Sequence, residues 1–366
     1  MASAVRILFL ADSHLGLDLP LRPRVRRRRR GDDFLANYAA ALEPALRGEV
    51  DLVVHGGDVF DRPVVPPSLA YQALEPLRRV AAAGLPVFVV PGNHERARLP
   101  HARFAAHPGV HVFDRPRTFV VEVRGVTVAL AGFPYERRGV RALFPELLER
   151  TGWREVGADF AVLCIHQCVE GATVGPVDFT FRNGDDVVRG RDIPPGLVAA
   201  LSGHIHRHQV LTADLAGRPL AAPVLYPGSI ERTALAEMGE PKGFLVLRAP
   251  TAGDAGARIA WDFRPLPARP MIVEEVVADG QSPAVLDRAV RALIEAVPPD
   301  AVLTIRLVGE PSPAQLRVLS SAQLRAVAPE TMNVEVQVAR AGPWAGRPAR
   351  DEPATAPEAV ALELPL

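Results

Sequence analysis

The 366-residue chain has two cysteines, a single lysine, no surplus of charge and no long apolar run at its start. Cys164 and Cys168 cannot form a disulfide framework, so we expect a reducing compartment. With 42 basic and 42 acidic residues, bulk charge excludes no partner, and electrostatic function must come from local clusters. The first apolar run contains Arg6 and is too short for a signal sequence or membrane span, which predicts a cytoplasmic protein without a membrane partner.

Short apolar runs recur instead, and they are continuous rather than alternating. This pattern is typical of strands buried on both faces. The main runs are residues 5–11, 51–56, 86–92, 160–165 and 197–203. Further strands are predicted in 118–132, as a hairpin turning at Arg124-Gly125, and in 209–230 and 242–248, with helices over 32–47 and 67–84. We therefore predict an α/β fold with two sheets flanked by helices.

A domain boundary is predicted at the proline-rich segment 264–270. The preceding domain would cover residues 1–265. Beyond the boundary, apolar patterning predicts a small α+β domain of β-α-β-α-β order over residues 271–340. Residues 341–366 are rich in Pro, Ala and Gly, which predicts a disordered tail.

A polar cluster follows each of the five main apolar runs. The carboxyl ends of strands in an α/β sheet form the crevice where ligands bind, so we expect these side chains to meet at one edge. Carboxylate, imidazole and amide donors suit divalent ions such as Mn²⁺, Fe²⁺ or Zn²⁺. Seven donors are too many for one ion with open positions and suit two ions bridged by a carboxylate. The donors are Asp12, His14, Asp58, Asn93, His166, His204 and His206.

The ordered pattern D-x-H, G-D-x-x-D, G-N-H, H, G-H-x-H resembles the calcineurin-like metallophosphoesterase superfamily over about residues 5–232. The resemblance implies that Asp58 bridges the two ions. It implies one ion held by Asp12, His14 and His206, and the other by Asn93, His166 and His204. It also implies catalytic roles for His94, which would stabilise the scissile phosphate and protonate the leaving oxygen, and for Asp61, which would orient His94.

Further motifs are similar to the DNA-repair exonuclease branch, which contains the SbcD-type nuclease subunit. These motifs are DSHLGL, GDVFDRPVVPPSLAY, PGNHE, SGHIHRHQ and YPGSIERT. The branch implies Mn²⁺-dependent cleavage of DNA, as a 3′-5′ duplex exonuclease or single-strand endonuclease, and residues 271–340 would form its capping domain. An SbcC-like ATPase partner and a homodimer are also expected, although the tail after the cap is short. The alternatives are a metallophosphatase or small-molecule phosphodiesterase, and a DNA-end-binding subunit of a larger complex.

Residues 22–30 read RPRVRRRRR, with seven arginines in nine positions. Following the Asp12–His14 motif, the run is expected to project from the rim of the crevice and to bind the phosphate backbone of DNA. A solvated disordered arm is the alternative. The predicted substrate contacts are Arg26, Arg27, Arg28, Arg29, Arg30, Arg62 and Arg232, with surface ion pairs as the alternative for the last two. His55, His101, His107, His111 and His208 are expected to be surface or loop histidines.

Overall fold

The computed structural model describes residues 4–19, 27–249 and 259–339. One six-stranded sheet, sheet A, contains β1 (Val5–Leu10), β2 (Leu52–His55), β3 (Val87–Val89), β4 (Val110–Val112), β15 (Gly243–Ala249) and β16 (Ala260–Pro265). Their spatial order is β16-β15-β1-β2-β3-β4, and the four strands from β1 to β4 run parallel. Parallel strands buried on both faces explain why these segments are continuously apolar in sequence.

A second six-stranded sheet, sheet B, contains β5 (Arg117–Val123), β6 (Val126–Gly132), β7 (Phe160–Ile165), β12 (Leu197–Ser202), β13 (Gln209–Ala213) and β14 (Pro219–Tyr226). Their order is β13-β14-β12-β7-β6-β5. The predicted β5–β6 hairpin turns at Arg124 and Gly125, which both have positive φ, at 53° and 74°. Two consecutive left-handed residues form the turn whose twist matches the flanking strands.

The two sheets pack face to face and share one apolar core. Phe9 and Val54 of sheet A lie in the same cluster of fully buried side chains as Val162 and Leu201 of sheet B. The predicted two-sheet α/β sandwich is therefore confirmed.

Helices cover the outer faces of both sheets. The residues of α1 (Arg30–Leu46) and α2 (Pro67–Ala82) pack in a second core cluster with sheet A, and those of α3 (Val140–Glu149) pack in a third cluster with sheet B. Proline occupies the first turn of α2, where its missing N–H has no helical partner to lose. The sequence patterning predicted α1 and α2 but missed α3, β4 and β16.

Short elements connect the main ones. Two small ladders join β8 (Cys168–Val169) to β11 (Val187–Val188), and β9 (Thr173–Val174) to β10 (Phe179–Thr180). Single 3₁₀ turns cover Ala102–Ala105, Gly190–Asp192 and Leu235–Glu237. The last of these turns lies between β14 and β15, beside the site described below.

The described C-terminal residues form a three-stranded sheet of order β17-β18-β19, made of β17 (Met271–Val277), β18 (Val302–Val308) and β19 (Asn333–Ala339). Between the strands lie α4 (Pro283–Ala296), α5 (Pro313–Val318) and α6 (Ser321–Val327). The single helix expected within 313–327 is therefore two short helices. Leu286, Val290 and Ile294 form the buried face of α4.

The chain divides into two compact units. The larger contains the described residues up to Ile272 together with Pro298–Val302 and Ala328–Asn333. The smaller contains Val273–Val297, Leu303–Val327 and the described residues from Val334 onward. The boundaries predicted from sequence stay a prediction, and the proposed tail, 341–366, lies outside the described residues. Within the described parts, we find no helix with the length and apolar character needed to cross a bilayer.

Candidate metal centre

The predicted donors lie in the loops that follow five strands. The loops after β1, β2 and β3 of sheet A carry Asp12 and His14, Asp58, and Asn93. Those after β7 and β12 of sheet B carry His166, His204 and His206. The expectation of a single sheet edge was wrong, because the donors come from the carboxyl ends of strands in both sheets. Two sheets that pack face to face bring these ends together around one site.

Asp12, His14 and His206 form one cluster. Their candidate ligand atoms lie within 4.8 Å of one another. The Nε2 atoms of His14 and His206 are 3.0 Å apart, and the Nδ1 atom of His14 is buried with no hydrogen-bond partner among the described residues. This is the trio that the resemblance assigns to one ion, and its donor chemistry suits a divalent cation.

Asn93 joins the second group of donors. Its Oδ1 atom is 2.9 Å from Nε2 of His166 and 2.9 Å from Nδ1 of His204. Asp58 Oδ2 lies 3.3 Å from His166 Nε2 and 3.9 Å from His14 Nε2. Asp58 therefore lies between the two groups, which is where a bridging ligand would have to be.

Several of the predicted donors lie on strained backbone. Asp12, His14, Asp58 and His204 have φ angles of 50°, 42°, 51° and 82°. Such left-handed conformations cost roughly 1–3 kcal/mol in a non-glycine residue and persist only where the surrounding structure fixes them. The backbone N–H of His204 donates to both carboxylate oxygens of Asp12, at 3.0 and 3.1 Å, and so ties the two sheets' loops together.

Buried charge at the site requires compensation. Burial lowers the pKa of His166, but the Asp58 and Asp12 carboxylates outweigh this effect and raise it to about 9. Burial acts to raise the pKa of Asp58, but His166 and His14 hold it well below its usual range. Burial also lowers the pKa of His204 to about 3 and raises the pKa of Asp12 to about 6. Carboxylates and imidazoles that face one another in this way are a donor set that divalent ions fit once the imidazoles are deprotonated.

His94 lies beside the donors. Its ring centroid is 4.6 Å from that of His14, and its backbone N–H donates to Asp58 Oδ1 at 2.9 Å. The main-chain carbonyl of Asp61, not its carboxylate, bonds to His94 Nδ1 at 2.8 Å. The carboxylate of Asp61 lies 3.8 Å from His14 Nδ1. The contact that orients the His94 ring is therefore made by the main-chain carbonyl of Asp61, and the catalytic role of Asp61 stays a prediction.

Several buried groups at the site were missed from sequence. His55, expected at the surface, is fully buried and bonds through Nε2 to Ser13 Oγ at 2.9 Å, between two of the predicted ligands. Glu95 accepts the N–H groups of Phe60 and Gly92 and so joins two of the site's loops. The motif GNHE contains Glu95, but its linking role depends on tertiary contacts that no local pattern reveals.

The cysteines beside His166 contribute no metal-ligand group among the described residues. Burial raises the pKa of the Cys164 and Cys168 thiols. A buried thiol of raised pKa is inert, which agrees with the expectation for Cys164. His208 stacks on Phe263 at 4.2 Å between ring centroids.

The first described arginines of the basic run are bonded within the chain. Arg27 donates to the carbonyls of Ala328 and Met332, at 2.9 and 3.2 Å. Arg28 forms an ion pair of 2.6 Å with Asp33. Arg27 and Arg28 therefore do not project freely from the rim of the crevice, as was expected. Their bonds hold the segment before α1 against the rest of the chain. Arg26 lies outside the described residues.

The remaining candidate contacts differ in exposure. Arg30 pairs with Glu231 at 3.7 Å and also donates to the carbonyl of Arg232. Arg232 donates to the carbonyls of Glu240 and Arg269. Arg29 pairs with Asp18 at 3.4 Å, with 38% of its side chain exposed. Arg62, beside Asp61, has 73% of its side chain exposed and is the most accessible of the set that the structure describes.

Fold and donor set together define a metal-dependent phosphoesterase with a site for two divalent ions. A family model described as calcineurin-like phosphoesterase matches residues 5–208, and the chain belongs to this family. The matched segment contains every one of the predicted donors, from Asp12 to His206. The structure and the family match thus agree on the class of enzyme.

The chain is similar to proteins of the DNA-repair branch. It is 28% identical to the DNA double-strand break repair protein Mre11 of Aeropyrum pernix over 64% of this chain and 56% of the relative. For Mre11 of Haloferax volcanii the identity is 28% over 83% of this chain and 62% of the relative. The uncharacterized metallophosphoesterase YhaO of Bacillus subtilis is 26% identical over 72% of this chain and 61% of the relative. The chain thus spans less than two thirds of the length of these relatives.

Solved structures with a similar arrangement include TT1561 of Thermus thermophilus, with a TM-score of 0.44, 13% identity and coverage of 71% of this chain and 99% of that one. A dimetal phosphatase from Danio rerio has a TM-score of 0.40 and 12% identity, with coverage of 68% of this chain and 93% of that one.

Proposed function

We propose that this protein is a two-metal phosphodiesterase that cleaves DNA in repair or end processing, as a 3′-5′ duplex exonuclease, a single-strand endonuclease or both. The placement of His94 beside the two donor groups, 4.6 Å from the ring of His14, is the observation that carries the phosphoester chemistry. The similarity to two Mre11 proteins, one over 83% of this chain, supports DNA as the substrate.

Two bound divalent ions would polarise the phosphoryl oxygens and make a water-derived nucleophile available at neutral pH. We propose Mn²⁺ as the metal. Asp12, His14 and His206 would hold one ion, Asn93, His166 and His204 the other, and Asp58 both. The strained, buried loops would keep these donors in place before any ion arrives, which reduces the reorganisation needed on binding.

His94 would act on the leaving group. Because Nδ1 bonds to the carbonyl of Asp61, it carries the proton, and Nε2 is the nitrogen left for the substrate. Held by Asp58 at its backbone and by Asp61 at its ring, His94 would act in its doubly protonated form. The imidazolium would stabilise charge on the phosphate, and Nε2 would give its proton to the departing oxygen, which leaves the ring as the neutral Nδ1–H tautomer. Arg62, exposed beside this residue pair, would contact a neighbouring phosphate.

The substrate class can be tested with end-labelled linear duplex DNA and single-stranded DNA, each incubated with the purified chain and Mn²⁺, and then with excess chelator. Stepwise shortening from an end would identify an exonuclease, and internal fragments an endonuclease. Release of phosphate from p-nitrophenyl phosphate with both DNA substrates left intact would instead favour a phosphatase and contradict the proposal.

His94→Ala should lower phosphodiester hydrolysis by about 10²- to 10⁴-fold, the usual contribution of a general acid–base residue. Mn²⁺ binding, measured by calorimetry, should be retained because His94 is not among the proposed ligands. Wild-type DNA turnover in this variant would show that the assigned mechanism is wrong.

The same resemblance supports further proposals about partners. We propose that the chain forms a homodimer and binds an SbcC-like ATPase, and that the unit containing β17–β19 contacts duplex DNA. Light scattering on the purified chain tests the dimer directly. A cytoplasmic location stays a prediction.

A further inference from the structure

Lys242 is the single lysine of the chain, and its side chain is completely buried. Its Nζ atom lies 2.7 Å from Glu237 Oε2 and 3.1 Å from Glu240 Oε2, and it donates to the carbonyl of His206 at 2.8 Å. Burying an ammonium group is costly unless charged and polar partners surround it. All three of its bonds converge on the segment that carries His206 and on the loop before β15.

The two ring nitrogens of His206 face different neighbours. Nε2 points into the donor cluster, 3.0 Å from Nε2 of His14. Nδ1 points away from the cluster, at 2.9 Å from Glu237 Oε1 and 3.0 Å from Thr233 Oγ1. A carboxylate acceptor fixes the proton on Nδ1, so the lone pair of Nε2 is directed at the cluster.

Glu237 is itself held in one orientation. Its Oε1 atom accepts from the hydroxyl of Thr233 at 2.6 Å as well as from His206. Its Oε2 atom accepts from Lys242 and from the backbone N–H of Thr233, the latter at 3.0 Å. With each carboxylate oxygen bonded twice, the side chain cannot rotate without breaking buried hydrogen bonds.

We propose that Glu237 is a positioning residue for the metal ligand His206, and that Lys242 anchors Glu237 for this role. This inference rests on the proposed function, because it presumes that His206 binds one of the two ions. Outer carboxylates that bond to ligating histidines fix the ring and make it more basic, and their loss typically costs about 10- to 100-fold in metal affinity.

Glu240 provides a matched control. It contacts the same lysine at 3.1 Å and also pairs with Arg207 at 2.9 Å, whereas the carboxylate that bonds to the ring of His206 is that of Glu237. If the network served only to neutralise the buried lysine, Glu237 and Glu240 would be equivalent. If Glu237 orients His206, only its substitution should weaken metal binding.

The experiment compares Glu237→Gln and Glu240→Gln with the wild type. Mn²⁺ binding to the metal-free proteins is measured by calorimetry, and phosphodiester hydrolysis is measured as a function of Mn²⁺ concentration. We expect Glu237→Gln to raise the dissociation constant of one Mn²⁺ by about 10- to 100-fold, and high Mn²⁺ to restore much of its activity. Glu240→Gln should bind both ions as the wild type does.

Wild-type Mn²⁺ affinity in Glu237→Gln, or an equal loss in both variants, would overturn the inference. If Glu237→Gln does not fold, Glu237→Asp takes its place, since it keeps a carboxylate beside Lys242 but shortens the side chain that reaches His206 Nδ1. We then expect about a tenfold loss, and none would overturn the inference. A wild type that neither binds two Mn²⁺ ions nor cleaves phosphodiesters would refute the proposed function instead.

Discussion

At the scale of single residues, Asp61 faces two histidines of the site, His94 and His14, with two different groups. Its carbonyl oxygen bonds to the ring of His94 at 2.8 Å, while its carboxylate lies 3.8 Å from Nδ1 of His14. A carbonyl oxygen can only accept a hydrogen bond, so it keeps a proton on Nδ1 of His94 and orients the ring without placing a full negative charge beside it. The carboxylate of Asp61 instead lies between His14, which we propose as a metal ligand, and Arg62.

This division predicts the outcome of Asp61→Asn. The substitution leaves the carbonyl in place, so the rate constant of hydrolysis at saturating Mn²⁺ should fall by less than about tenfold. Replacing a carboxylate that directly orients a catalytic histidine costs about 10⁴-fold in kcat. Steady-state kinetics on a phosphodiester would decide between the two values, with His94→Ala as the reference for full loss. A drop for Asp61→Asn as large as that of His94→Ala would return the orienting role to the side chain.

At the scale of elements, strands were predictable where burial on both faces made them continuously apolar. Residues 5–11, 160–165 and 197–203 were predicted as strands, and the structure has Val5–Leu10, Phe160–Ile165 and Leu197–Ser202. Edge strands such as β16 escaped notice because their outward side chains are exposed and their patterning is weak. The sharing of donors between two sheets could not be read from local periodicity, since it depends on strand order.

The same limit applies to the site. The proposed ligand set was inferred from motifs whose residues lie close together in sequence, such as Asp12 and His14. Glu237 lies 31 residues from His206, and Lys242 lies 36 residues from it, so their contacts arise only on folding. Lys242 stands out in the sequence as the single lysine, but the sequence does not show which residues it contacts. Long-range positioning groups therefore required the structure.

The loop after β3 passes very close to the loop that carries Asp58. A Cβ atom added at Gly92 would lie 2.1 Å from Asp58 Oδ1 and 2.5 Å from the backbone nitrogen of Asp58. Real Cβ atoms do not approach other atoms so closely, so the loop that carries Asp58 would have to move. Glycine is required here by the close approach of two loops.

Gly92→Ala should therefore displace Asp58 and weaken Mn²⁺ binding and hydrolysis together, by about 10²-fold or more, as expected when a reacting group moves by about 1 Å. Calorimetry with Mn²⁺ and a phosphodiesterase assay would measure the two losses. Gly157→Ala is the control, since a Cβ atom at Gly157 would meet no atom within 4 Å. Normal metal affinity in Gly92→Ala would mean that the loops adjust and that Asp58 is less tightly placed than the distances indicate.

At the scale of the whole molecule, the metal centre connects loops from both sheets of the sandwich. The bond from His204 to Asp12 already links them, and ions shared by Asp12, His206 and their neighbours would add further connections. A ligand that binds only the folded state stabilises it by about 2.7 kcal/mol at a concentration 100 times its dissociation constant. Metal should thus contribute to stability as well as to chemistry.

We expect Mn²⁺ to raise the thermal midpoint of chelator-treated protein by about 3–4 °C, since in a chain of 366 residues, at about 2.1 cal/mol/K of unfolding entropy per residue, 1 kcal/mol corresponds to about 1.3 °C. Ca²⁺ at the same concentration should have a smaller effect, because it prefers oxygen ligands and the centre contains four histidines among its proposed ligands. Differential scanning calorimetry gives both values. Equal shifts with the two ions would argue against the imidazole-rich ligand set.

Charge distribution is the second property of the whole molecule. With 42 basic and 42 acidic residues, DNA affinity must come from local arginines. Arg28 and Arg30 are paired with Asp33 and Glu231, and Arg30 keeps only 13% of its side chain exposed. Removing Arg30 would leave the buried carboxylate of Glu231 without this partner, so a loss of DNA binding in such a variant could not be separated from a loss of stability.

The exposed arginines Arg29 and Arg62 allow a test of DNA binding that does not disturb buried ion pairs. In Arg29→Gln with Arg62→Gln, two side chains that are 38% and 73% exposed lose their charge while the buried pairs stay intact. Each phosphate contact contributes up to about 0.9 to the slope of log affinity against log salt concentration, so this slope should flatten by up to about 1.8. Fluorescence anisotropy of labelled duplex DNA across salt concentrations measures the slope, and hydrolysis of a small phosphodiester should remain near the wild-type rate. An unchanged slope would mean that Arg29 and Arg62 do not contact DNA.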